Sequence, residues 1–195
     1  MYMGEMERKS TPHGQFKGLV TKTALGLLLV GGGMIALAAV PGLGMALKIV
    51  DPNPRKAVRK IERALKNLAD DGDVEVVYRD KEKRYRITPS GKQKLAQLEF
   101  KEYKSTRFTK WDGKWRVVCF DIPETDKYIR TLFQTKLSEL GFYRLQNSVF
   151  VSPYSCKELI TLADKAFNLH KHVRVILAET IDNEQHLLNF FKIKR

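Results

Sequence analysis

Wound as a helix, residues 54–69 place Ala57, Ile61, Ala64, Leu65 and Leu68 within one third of the circle, at about 100° per residue. That spacing predicts a helix with one buried face, with Asn53 as its N-cap, Pro54 at its first position and Asp71-Gly72 at its end. Beyond it, 74–78 is β-prone, 79–83 is a polar turn, 85–88 is the return strand, and another helix starts at Ser90. Ahead of it, 16–39 and 42–50 read as helices broken at Pro41-Gly42. Residues 1–15 are polar and read as disordered, and 100–114 read as a basic linker.

The pattern changes at Trp115. Val117, Val118, Cys119 and Phe120 form an apolar run stopped by Pro123, which predicts a strand with Asp121 at its end. Ile129, Leu132, Phe133, Leu137 and Leu140 share one side of a helix over 124–140, which Gly141 closes. Two short strands follow around Gln146-Asn147-Ser148, then a helix capped by Ser155 and running to about Asn168, then the strand VRVILAE. The order is βαββαβ, a ferredoxin-like domain over 115–195, and the fold class is α+β. Two helices then cover one sheet face and leave the other open. An open apolar face asks for a partner, most simply a second copy, so a homodimer is expected.

Charge narrows the partners. Lys and Arg number 35 against 22 acids, a net charge of +13. Nucleic acid is the first partner such a surplus suggests, and an anionic membrane the second. The stretch 24–47 carries no charge and is long enough to raise a membrane-associated alternative. Its Gly31-Gly32-Gly33 run and Pro41 break it, and lysines flank both ends without an orientation bias. The preferred reading is two buried helices in a cytoplasmic protein. Cys119 and Cys156 have no CxxC neighbour, and His13, His170, His172 and His186 show no metal-ligand spacing with them. Neither a disulfide framework nor a zinc site is expected.

On 54–69 the side opposite the apolar stripe carries Arg55, Lys56, Arg59, Lys60, Arg63 and Lys66. A charged face is usually a solvated one. Here a single sign occupies it, at a cost in like-charge repulsion that a phosphate partner offsets. The order helix, helix, basic helix, β-hairpin, helix over 16–99 is the winged helix-turn-helix arrangement. The phrase VEVVYRDKEKRYRITPSGKQKL resembles the end of many bacterial winged-helix regulators. That resemblance implies duplex DNA as partner, with Lys56, Arg59, Lys60, Arg63 and Lys66 facing the major groove and Arg79, Lys81, Lys83 and Arg84 on the wing.

WRVVCFDIPE and LGFYRLQNSVFVSP resemble the central domain of PaaX-type repressors, the phenylacetate-degradation regulators, and also CRISPR-associated protein two. The winged helix in front belongs with the repressors, so the combination implies a transcriptional repressor. The second resemblance implies an alternative, a metal-dependent nuclease binding Mg²⁺ through Asp121 across a dimer axis. The plainer reading makes Asp121 a turn-capping residue, with no catalytic site and no cofactor. Ser148 reads as a turn residue rather than a nucleophile, and Tyr128, Arg130 and Arg144 as surface residues able to meet DNA.

Overall fold

The computed structural model describes residues 12–30, 34–35, 43–79, 81–104 and 111–194. The chain divides into two compact units, Met1–Leu98 and Glu99–Arg195.

The first unit runs α1 (Pro12–Val30), β1 (Met34–Ile35), α2 (Leu43–Val50), α3 (Pro54–Asp70), β2 (Val74–Arg79) and β3 (Glu82–Ile87), and ends inside α4 (Pro89–Glu102). Its core is made by Ala24, Leu25 and Leu28 of α1, Val50 of α2, the Ala57, Ile61, Leu65 and Leu68 stripe of α3, and Val74, Tyr85, Ile87 and Leu95. Three antiparallel strands lie in the order β1-β3-β2. The hairpin register pairs Arg79 with Glu82 and Val74 with Ile87. On β3, Tyr85 and Ile87 turn inward while Arg86 stays exposed, bonding Glu75 across the sheet at 2.6 Å.

Two expectations for this unit change. The first helix stops at Val30, directly before Gly31-Gly32-Gly33, and does not run to 39; glycine loses the most backbone freedom in a helix. Met34 and Ile35, expected as helix, pair with Arg86 and Tyr85 as an edge strand. Helix α1 also begins at Pro12, so residues 12–15 are helical, while 1–11 lie outside the described residues. Among the described residues no helix is long and apolar enough to cross a membrane.

The second unit contains β4 (Trp115–Phe120), a 3-10 turn (Glu124–Asp126), α5 (Lys127–Glu139), β5 (Tyr143–Gln146), β6 (Val149–Ser152), α6 (Lys157–Phe167), β7 (Val173–Ala178) and α7 (Gln185–Phe191). The antiparallel sheet has the order β5-β6-β4-β7. Side chains alternate across β4, so Val118 and Phe120 face one way and Trp115 and Val117 the other. Phe120 meets Phe133 of α5 edge-on at 5.3 Å and stacks near Phe150 at 6.0 Å.

The face expected to be bare is covered. Leu187 and Leu188 of α7 pack with Trp115 and Val151, and Trp111, Tyr143, Ile181 and Phe191 join them. Trp115 donates from Nε1 to Glu184 at 2.9 Å. The sheet is thus closed over by α7, which follows β7 after the mainly polar turn segment 179–184. Trp111 belongs to this core and 100–102 to α4, so the expected 100–114 linker is structured at both ends; residues 105–110 lie outside the described residues. Cys156 rather than Ser155 stands at the N-cap of α6, and it makes no side-chain cap bond.

Candidate nucleic-acid interface

The position of α3 is set by the turn before it. Asp51 accepts from the Asn53 amide at 2.9 Å, and the Asn53 side chain accepts from the Arg55 and Lys56 amides at 3.1 and 3.3 Å. Two of the helix's first amides are satisfied this way, and Pro54 has none to satisfy. The buried stripe leaves the opposite side to solvent. Lys56, Arg59, Arg63 and Lys66 are exposed there and form no ion pair among the described residues.

Lys60 differs from its neighbours. Its ammonium reaches back to Asp51 at 2.6 Å, and the Asp51 side chain is only 15% exposed. That hydrogen bond, with the one from Asn53, holds the Asp51 carboxyl below its ordinary value. Lys60 therefore anchors the turn and contributes little net charge to the face. The sequence holds both residues, but a pair nine positions apart across a helix start is not a helical neighbour pair.

At the other end, α3 is locked to α4. Asp73 is buried; its carboxylate accepts from Ser90 Oγ at 2.6 Å and from the Lys94 ammonium, which also reaches Asp71 at 3.1 Å. Burial works against the Lys94 charge, yet the bonds to Asp73 and Asp71 outweigh it and raise its pKa. Thr88 Oγ1 donates to the Gly72 carbonyl at 2.9 Å and accepts from the Gly91 amide at 3.2 Å. A Cβ on Gly91 would sit 2.1 Å from the Asp73 carbonyl oxygen, so only glycine permits this approach. These contacts give the Thr-Pro-Ser-Gly phrase its meaning: it fastens the fourth helix to the loop that ends the third. The phrase is legible in the sequence; its partner, Asp73, is not.

The hairpin carries the remaining cations. Arg79 and Lys81 are exposed beside the turn, Lys81 with a left-handed φ of 63°. Lys83 lies over the Tyr85 ring, 5.2 Å from its centroid, and its hydrogen bond with Tyr85 raises its pKa. Arg84 is half-buried and 3.4 Å from Glu82.

In the second unit, Asp121 is exposed at the end of β4. Its backbone bonds to His172 twice: its amide donates to the His172 carbonyl at 2.8 Å, and its carbonyl lies 2.9 Å from His172 Nδ1. Glu124 is held by Arg130 instead. Among the described residues no three His, Cys, Asp or Glu side chains converge to hold a metal ion. Cys119 and Cys156 are both free thiols, and burial pushes the Cys156 thiol up. Tyr128 is exposed, while Arg130 and Arg144 line one cavity with Ser148.

Residues 108–188 match the family model described as the PaaX protein central Cas2-like domain. The stretch so matched holds all four strands of the second unit's sheet. No curated protein matches the chain at a significant level.

Proposed function

We propose that this chain, whose second unit carries a Cas2-like domain of the PaaX type, is a duplex-DNA-binding transcriptional regulator whose first unit is a winged helix-turn-helix. The observation that carries this reading is the α3 face: four exposed cations without ion-pair partners among the described residues, on a helix fixed at both ends. The α1-β1-α2-α3-β2-β3 order with sheet order β1-β3-β2 suits that assignment, α3 entering the major groove and the hairpin reaching the backbone through Arg79 and Lys81. The PaaX-type match favours repression as the regulatory sign.

The regulator acts as a homodimer, presenting two copies of α3 to a two-fold operator. With one sheet face covered by α7, the surface that favours self-association is β7, an edge strand with Val175, Ile176 and Leu177 exposed. Light scattering at micromolar concentration should report twice the 22.4 kDa chain mass.

The decisive test is duplex DNA binding at several salt concentrations. Replacing Arg59 and Arg63 by alanine should weaken binding and lower the salt slope by about one for each phosphate no longer neutralised. An arginine bonded to a guanine edge would instead cost about 1–3 kcal/mol on removal and relax preference at one position. Lys60→Ala should leave the slope almost unchanged, because Asp51 already neutralises that charge. Unchanged affinity and slope in a folded Arg59→Ala, Arg63→Ala variant would reduce this stripe to a solvated face.

A further inference from the structure

Between α5 and the β5–β6 turn lies a cavity of about 400 Å³, lined by Arg130, Thr131, Gln134, Arg144, Asn147 and Ser148. Every lining residue is polar or cationic and none is acidic. The frame is held together internally: Gln134 Nε2 donates to the Asn147 carbonyl at 2.9 Å, and Thr131 Oγ1 donates to the Lys127 carbonyl at 2.9 Å. Arg144 donates to Asn147 Oδ1 at 2.8 Å, and Arg130 donates to Glu124. Each guanidinium thus makes one hydrogen bond among the described residues, while a guanidinium carries five N–H donors in a planar fork. Lys127 also lies 3.7 Å from Glu124, so that carboxylate has two cations beside it.

We propose that this pocket binds a phosphate group through Arg130 and Arg144. A guanidinium suits phosphate because its planar fork presents parallel donors to the oxygens, and charge-assisted bonds of this kind are the strong ones. Glu124 is the internal competitor. It is 69% exposed and bonds Arg130 from outside the cavity lining, and an exposed pair of this kind is easily exchanged for a better anion. Two sources carry the chemistry, the backbone of DNA and a small phosphorylated molecule. The site lies wholly within the second unit and stands independently of the α3 assignment.

The test is titration of the full chain with inorganic phosphate at constant ionic strength, following the arginine side-chain N–H signals by NMR. Two arginine signals should shift together and saturate, and both should be missing from the Arg130→Gln, Arg144→Gln double variant, whose affinity should fall about tenfold or more. Glu124→Gln, which keeps both arginines, should bind phosphate more tightly than the parent, and it keeps the test decisive if the double variant folds poorly. Absence of a saturable shift in both the parent and Glu124→Gln, or equal affinity in parent and double variant, overturns the proposal. Duplex DNA then separates the sources. A salt slope reduced by about two in the double variant identifies the DNA backbone, whereas an unchanged slope with abolished phosphate binding identifies a small phosphorylated molecule.

Discussion

The two sheets of this protein are covered in different ways, and their strands record it. In the first unit, β3 reads Glu-Lys-Arg-Tyr-Arg-Ile: Tyr85 and Ile87 are buried, and Arg86 between them is solvated against Glu75. In the second, β4 reads Trp-Arg-Val-Val-Cys-Phe, and residues on both of its faces, Trp115 and Val118, have no solvent exposure at all. Alternation marks a strand with one wet face, whereas a near-continuous apolar run marks one buried on both. The run at β4 therefore signals cover on a second face, and that cover is α7. An expectation of an open face followed from counting only the two helices between the strands.

The comparison breaks first if the second cover is removed. Trp115→Ala should destabilise the chain by about 3–5 kcal/mol and Leu187→Ala by about 2–5 kcal/mol in urea unfolding. If Leu187→Ala costs nothing measurable, α7 does not close the sheet. Next, the first unit's polar lock is tested by Gly91→Ala, where the clash with the Asp73 carbonyl should cost about 1–3 kcal/mol despite alanine's better helix propensity. A stabilised Gly91→Ala variant would mean the approach of α4 to that loop is looser than described.

The solvated face supplies the contrast. Removing the Glu75–Arg86 pair, both about half exposed, should change stability by about 0.5 kcal/mol or less. A loss comparable to that of Leu187→Ala would show that the first sheet also has two structural faces.

The smallest effect belongs to acid pH. Asp112 bonds Arg116 twice at 2.6 Å, and those bonds, with the one from the Lys114 amide, lower its pKa to about 2 against the partial opposition of burial. A carboxylate whose folded pKa is depressed stabilises the fold above its unfolded value, here 3.8, and loses that contribution as pH falls toward about 2. The stability difference between the parent and Asp112→Asn should therefore be constant at neutral pH and shrink between those two values. A difference that stays flat to pH 2 would assign the pair no role in the acid limb.

What the chain's spacing determined by itself is what local chemistry controls. The 54–70 helix, its Asn53 cap and Pro54 start, the hairpin after it and the βαββαβ order of the second half are all set by neighbours within a turn or a strand. The mainly basic outer face of α3, which also carries the exposed Glu62 and Asp70, was legible for the same reason. Tertiary structure alone decided which charges stay available and which faces stay bare. Lys60 is withdrawn by Asp51, Asp73 is buried under Ser90 and Lys94, Met34 and Ile35 become an edge strand because β3 has an unpaired side, and α7 folds back over Trp115. Each of these depends on groups distant in sequence meeting in space. A charge or an apolar residue announces that it needs a partner, but its own spacing does not say which one it finds.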